Sequence, residues 1–165
     1  MFTLQQALKE HPFTRGFFGP DSAKLADLAH EETFAPDQVI LRAGEQSRNF
    51  YLLLRGIVCV EVSAPYHTVS VQVLGPGEAF GWSSLLHHHD TLFQIRARES
   101  TSVIRLDGSS LSLLCEENPG FGLAFFRRIL ELVAGRVKAT ESRLGEFCGI
   151  AMSASGAAPG QASGS

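Results

Sequence analysis

A chain of 165 residues, 44% hydrophobic and 19% charged, has the size and composition of one ordinary globular domain with a core of its own. Its 14 basic and 17 acidic residues leave a formal charge of −3 and no field that draws in a polyanion, which argues against generic nucleic-acid binding. No long apolar run occurs, and Met1 to Glu10 mixes Gln, Lys and Glu among its apolar residues, unlike a secretion signal or a membrane span, so the expected location is the cytoplasm.

In chain order, residues 1–33 are predicted to be helical, with Asp21 or Ser22 as the N-cap before Leu25, Leu28 and Ala29 on one apolar face. Between residues 34 and 107 the apolar period becomes two: Val39 and Leu41, Tyr51 and Leu53, Val58 and Val60, Val69, Val71 and Val73, then Phe93, Ile95 and Ala97. Gly44, Gly56, Pro65, Gly75, Pro76, Gly77 and Gly108 punctuate these runs at short-turn intervals, as in an antiparallel roll or barrel. Residues 108–147 return to helix, broken where Asn118 can cap and Pro119 can take the first helical position. Residues 148–165 are almost all Ala, Gly, Ser, Pro and Gln, a composition expected of a disordered tail. Cys59, Cys115 and Cys148 have no metal-type spacing and an odd count, and are expected to be buried, reduced thiols.

The last helix carries a stripe of Phe126, Ile129, Val133, Val137, Thr140, Leu144 and Phe147, close to a coiled-coil seam but with a one-residue drift near Val133. Such a stripe either packs on its own roll or pairs with a second copy. At 1.5 Å per residue the helix runs ~40 Å, longer than so small a roll is wide, which favours a homodimer.

Several stretches stand in one order: Phe50 to Gly56 (FYLLLRG), Val58 to Val62, Leu74 to Ser83 (LGPGEAFGWS), Leu85 and Leu86, Ile95 to Ala97, and Val103 to Leu106 before a helix. This order resembles the cyclic-nucleotide-binding domain family, the effector half of catabolite-activator-type regulators, over roughly residues 10–147. The resemblance implies a mainly β fold with flanking helices: an eight-stranded antiparallel β-roll of the jelly-roll type, a short helix called the phosphate-binding cassette (here residues 80–92), and a long C-terminal helix that closes over the ligand and often dimerises.

The ligand-binding candidates are Phe80, Gly81, Trp82, Ser83, Ser84, Leu85, Thr91, Arg96 and Thr140. Gly81 lets backbone approach a ligand, and a helix beginning near Ser83 aims N–H groups and a positive dipole end at an anion. The same glycines also suit a plain strand-to-helix corner. Members that bind cyclic AMP or cyclic GMP usually carry Glu after the cassette glycine and Arg near the cassette's end. Here Trp82 takes the first place, Thr91 and Leu92 fall at the second, and no Arg or Lys occurs between Phe80 and Ile95. Losing a charge-assisted phosphate contact removes ~1.5–3 kcal/mol, so tight binding of an ordinary cyclic nucleotide is not expected. Arg96 is the nearest cation, although it neighbours inward-facing Ile95 and by alternation points outwards. In the resemblance, Thr140 matches a helix Thr that reaches the nucleotide base; a hydroxyl bonded to its own preceding turn is the alternative.

His87, His88 and His89 beside Asp90 raise a different class. Gly81, His87, His89 and Gln94 resemble the first metal motif of cupins, but Gln94 stands where Glu is usual and no His follows His89. A protonated His in place of the missing Arg is a further route to anion binding. No nucleophile elbow, Walker loop or dinucleotide fingerprint occurs, and no recognition helix is read after the long helix. The expectation is therefore a non-enzymatic regulatory domain without DNA, membrane, metal or cofactor. It pairs as a homodimer through residues 121–147 and either senses a small anionic or nucleotide-like ligand or serves as a scaffold for a protein partner.

Overall fold

The computed structural model describes residues 3–149 apart from 18, 64, 87–89 and 92. The chain begins with α1 (Leu4–Glu10), whose Thr3 side chain accepts a hydrogen bond from the Gln6 N–H at 3.2 Å, and α2 (Pro20–Asp27). The predicted cap of α2 shifts. Gly19 is the N-cap and Pro20 occupies the first turn, where its fixed φ suits the helix, so Asp21 and Ser22 lie inside it.

Eight strands follow: β1 (Ala29–Phe34), β2 (Val39–Leu41), β3 (Asn49–Arg55), β4 (Val58–Ser63), β5 (Thr68–Leu74), β6 (Ala79–Phe80), β7 (Gln94–Ala97) and β8 (Thr101–Asp107). β1 begins at Ala29, inside the stretch read as helical. Its buried ends, Ala29 and Phe34, bracket His30, Glu31, Glu32 and Thr33, so no apolar alternation betrays an edge strand that is defined by its pairing with β8. Two antiparallel sheets form, ordered β1-β8-β3-β6 and β2-β7-β4-β5.

The central strands β3 and β8 build two cores, because alternate residues face opposite sides. Tyr51, Leu53 and Val103 meet Val58, Val60, Phe80, Ile95 and Ala97 between the sheets. Phe50, Leu52, Ile104 and Leu106 instead pack under the helices. Two helices close that second core: α3 (Gly108–Glu117), capped by Asp107, and α4 (Pro119–Phe147), a 29-residue helix. Phe125, fully buried on α4, sits among Phe13, Phe17, Phe50 and Phe121 with ring centroids 4.9–6.2 Å apart along the cluster. Arg128 then ties α4 to the N-terminal segment: its guanidinium donates to the Phe13 and Arg15 carbonyls and lies 4.1 Å from the Phe17 ring centre. Cys59 and Cys115 are buried as read, whereas Cys148, just past the end of α4, is exposed. No helix among the described residues is long and apolar enough to cross a membrane.

Candidate functional site

The segment joining β5 to β7 turns through Gly75–Glu78, where the Glu78 carboxylate accepts the Gly75 N–H at 2.7 Å, and enters β6. Gly81 follows at φ +83°, and a Cβ there would stand 2.4 Å from the Asn49 carbonyl oxygen, so only glycine fits. The chain then makes a single 3-10 turn, Trp82–Leu85. That is shorter than the helix expected from sequence, and the dipole that can act on an anion is confined to one turn.

Beneath α4 and beside this turn lies a cavity of about 80 Å³. Leu41, Val60, Val71, Phe93 and Ile95 form its apolar wall, while Gln72, Gly81, Trp82, Ser83, Thr91, Arg136 and Thr140 line the rest. Five of the nine predicted ligand residues are thus brought together: Gly81, Trp82, Ser83, Thr91 and Thr140. Thr91 Oγ1 is engaged with the backbone of Phe93, accepting its N–H at 3.1 Å. Thr140 Oγ1 donates to the Arg136 carbonyl at 2.9 Å, the local bond that sequence left as the alternative, so it faces the cavity as an acceptor.

The other four lie elsewhere. Phe80 stacks on Tyr51 at 4.9 Å in the core between the sheets, because β6 alternation turns it inwards. Leu85 joins the core beneath the helices, and Ser84 packs against Gly108 at the start of α3. Arg96 is on the outer face of β7, where its Nε pairs with Glu61 at 3.2 Å and its Nη1 donates to the Asp37 carbonyl at 2.8 Å. Strand alternation, with Ile95 and Ala97 inward, excludes it from the cavity.

Arg136 is a site residue that was not among the ligand-binding candidates, although with Arg143 and Leu144 it keeps the local pattern on which the resemblance at Thr140 rests. The signal was its position four residues before Thr140, which puts both on one helix face. Its Nη2 donates to the Ala79 carbonyl at 2.8 Å, and burial lowers its pKa against the opposing pull of the Glu78 carboxylate.

The cupin pattern falls apart in this arrangement. His87 and His89 lie outside the described residues, and Gln94 is on the outer face of β7, donating to Glu61 at 2.7 Å. Among the described residues no three His, Cys, Asp or Glu come together as metal ligands.

The α4 stripe needs correction at one position. Ile129, 9% exposed, belongs to the chain's own core, whereas Leu130, 69% exposed, faces outwards. With Leu130 in its place the stripe reads Leu123, Phe126, Leu130, Val133, Val137, Thr140, Leu144 and Phe147, an unbroken alternation of three and four, and the drift disappears. Leu123, Phe126, Val137, Leu144 and Phe147 are exposed, while Val133 also touches the core.

Comparison with known proteins bears on this geometry. A family model described as "Cyclic nucleotide-binding domain" matches residues 31–118, just over half of the chain, covering all eight strands except the first two residues of β1. The HTH-type transcriptional regulator Cmr of Mycobacterium tuberculosis is 27% identical over 124 residues, 75% of this chain and 49% of the regulator. The chain therefore spans about half the length of that relative, and 14–15% of the plant potassium channels that it also matches. Among solved structures, a cyclic nucleotide-binding domain from Methylobacillus flagellatus shares the fold with a TM-score of 0.74 at 20% identity, covering 87% of this chain and 83% of that one. The regulatory subunit of a cAMP-independent protein kinase A from Trypanosoma brucei shares it with a TM-score of 0.65 at 19% identity, covering 86% and 49%. With its strands and the cassette turn inside the span of the family model, which takes in more than half of its residues, the chain belongs to the cyclic nucleotide-binding domain family.

Proposed function

We propose that the chain is a cytoplasmic, non-enzymatic regulatory domain that pairs as a homodimer through α4 and reads a compact ligand in the cavity under that helix, without binding cyclic AMP or cyclic GMP in the usual manner. One observation carries this reading: α4 walls the cavity with Arg136 and Thr140 and at the same time presents the uninterrupted heptad stripe, with Thr140 common to both. A ligand that changes how α4 sits on the roll therefore acts on the dimer face directly, since both lie on one rigid element. A second copy is the occupant that fits the stripe, because alternation of three and four over eight positions is the repeat that two such helices need to interlock.

Departure from ordinary nucleotide binding rests on the cavity wall. Trp82 occupies the place of the ribose-binding Glu, and a volume of about 80 Å³ lies far below the ~300 Å³ at which sites for drug-sized ligands begin. The Trypanosoma neighbour, described as cAMP-independent, carries the same fold. A ligand-free scaffold is the second reading, favoured by a cavity of only about 80 Å³ with the bulky Trp82 and Phe93 among its lining residues.

Titration calorimetry with cyclic AMP and cyclic GMP, alongside light-scattering molar mass of the same sample, tests the proposal. A mass near twice 17.9 kDa with no micromolar nucleotide binding is expected. A monomer at tens of micromolar, or tight cyclic AMP binding, overturns it.

A further inference from the structure

We propose that the cavity under α4 takes a compact oxyanion, a carboxylate or a phosphate, and that Arg136 holds its charge from the helix side. The inference rests on the reading of this cavity as the ligand site. Arg136 is the one charged residue among those lining it. Its guanidinium is turned inwards from α4, with Nη2 spent on the Ala79 carbonyl at 2.8 Å; Nη1 is buried and has no hydrogen-bond partner among the described residues. No carboxylate pairs with it: the ion pairs among the described residues are Arg96–Glu61, Arg105–Glu32 and Arg143–Glu146.

A largely buried guanidinium is permanently charged at accessible pH, and with the Glu78 carboxylate acting on it only from beyond ion-pair distance, its burial carries a standing cost that an anion relieves. The partner it favours is an oxyanion, since N⁺–H···O⁻ contacts are short, strong and strengthened away from water. Ser83, buried on the cassette turn, offers the cavity a hydroxyl donor, while Thr140 has already committed its proton to the Arg136 carbonyl. About 80 Å³ restricts the guest to a few heavy atoms, given that one water occupies ~30 Å³ in the liquid. Arg136 also borders a wider groove of about 490 Å³ beside Pro12, Phe13 and Glu78, which gives small solutes access to the guanidinium. Because the cation rides on α4 rather than on the cassette, the bound anion ties the dimer helix to the roll.

The test is a thermal-shift titration of the full chain with sodium phosphate and with sodium acetate, against sodium chloride at matched ionic strength and against cyclic AMP, for wild type, Arg136→Met and Arg136→Gln. Molar mass is recorded on the same samples. Wild type is expected to gain a saturable rise in Tm with phosphate or acetate beyond that with chloride. Both variants should bind about ten- to a hundredfold more weakly, as expected for one lost charge-assisted contact. Without anion, Arg136→Met should melt no lower than wild type, because an unpaired buried charge has gone; Arg136→Gln, which keeps a donor for Ala79, covers the case in which Met disturbs packing. The proposal is overturned by a response no larger than chloride, by anion shifts that survive in both variants, or by a cyclic AMP shift insensitive to residue 136. An absent anion response in wild type that is nonetheless dimeric overturns this inference and leaves the regulatory dimer standing; a monomer overturns the latter separately.

Discussion

Ile129 and Leu130 are adjacent on α4 and should respond to the same substitution in opposite ways. Leu130 keeps 69% of its surface in water in the single chain. Complete burial of a leucine contributes about 1.5–3 kcal/mol, so covering what remains is worth about 1–2 kcal/mol per chain, and a twofold pair counts it twice. Leu130→Gln, which retains good helix propensity, is therefore expected to weaken dimerisation by about 2–4 kcal/mol, roughly 30- to 1,000-fold in Kd, with an unchanged unfolding free energy of the monomer. Ile129, 9% exposed and packed in the core with Phe125 and Leu114, behaves differently. Ile129→Gln should cost about 3 kcal/mol or more of folding stability, a large part of the 5–15 kcal/mol typical of a domain. Sedimentation equilibrium over a concentration series reads the first effect, and urea unfolding monitored by circular dichroism reads the second. Should Leu130→Gln leave the association constant within threefold of wild type, the stripe is not a dimer face.

Three further outcomes follow from local chemistry. His11 is buried, accepting the Phe13 N–H at Nδ1 (3.2 Å) and donating from Nε2 to the Leu53 carbonyl (3.2 Å), and burial lowers its pKa against the pull of the Leu53 and Glu78 carbonyls. The unfolded chain then protonates first, so stability present above pH ~6.5 falls as pH drops through the window below it. Urea midpoints at pH 7.5 and 5.5 should show a drop that His11→Gln abolishes, and a wild-type midpoint that is equal or higher at pH 5.5 refutes the assignment. Asp107 caps α3 by accepting the Ser110 N–H and hydroxyl, both at 2.8 Å, which holds its carboxyl below the usual value; Asp107→Ala should lose about 1 kcal/mol, measured by thermal unfolding at pH 7, and a loss under 0.3 kcal/mol contradicts the cap. Burial pushes the Cys115 thiol up to about 11, so iodoacetamide at pH 8 should label exposed Cys148 in the native protein and reach Cys115 only after denaturation, as peptide mass mapping would report.

Much of this protein follows from periodicity and punctuation. Alternating apolar residues in β2, β3, β4, β5 and β7, the Asn118–Pro119 break and the turn glycines determined those strands, the two C-terminal helices and the class of fold, since these are local consequences of which side chains must leave water. The cassette corner at Gly81 and the helix residue Thr140 were legible too, through a resemblance that their order and spacing support. Tertiary structure alone decided what alternation cannot express. β1 is a strand because β8 supplies its partners, although its own polar residues hide the period. Arg96 is spoken for by Glu61 across the sheet, a pairing visible only once β4 and β7 lie side by side. The choice between Ile129 and Leu130 depends on the angle at which α4 rests on the Phe50 and Phe125 cluster, which rotates one of two neighbouring residues inwards and the other out. The same rotation turns Arg136 towards the cassette, so the cation that the cassette lacks in sequence is supplied in space by a helix residue more than forty positions further along the chain.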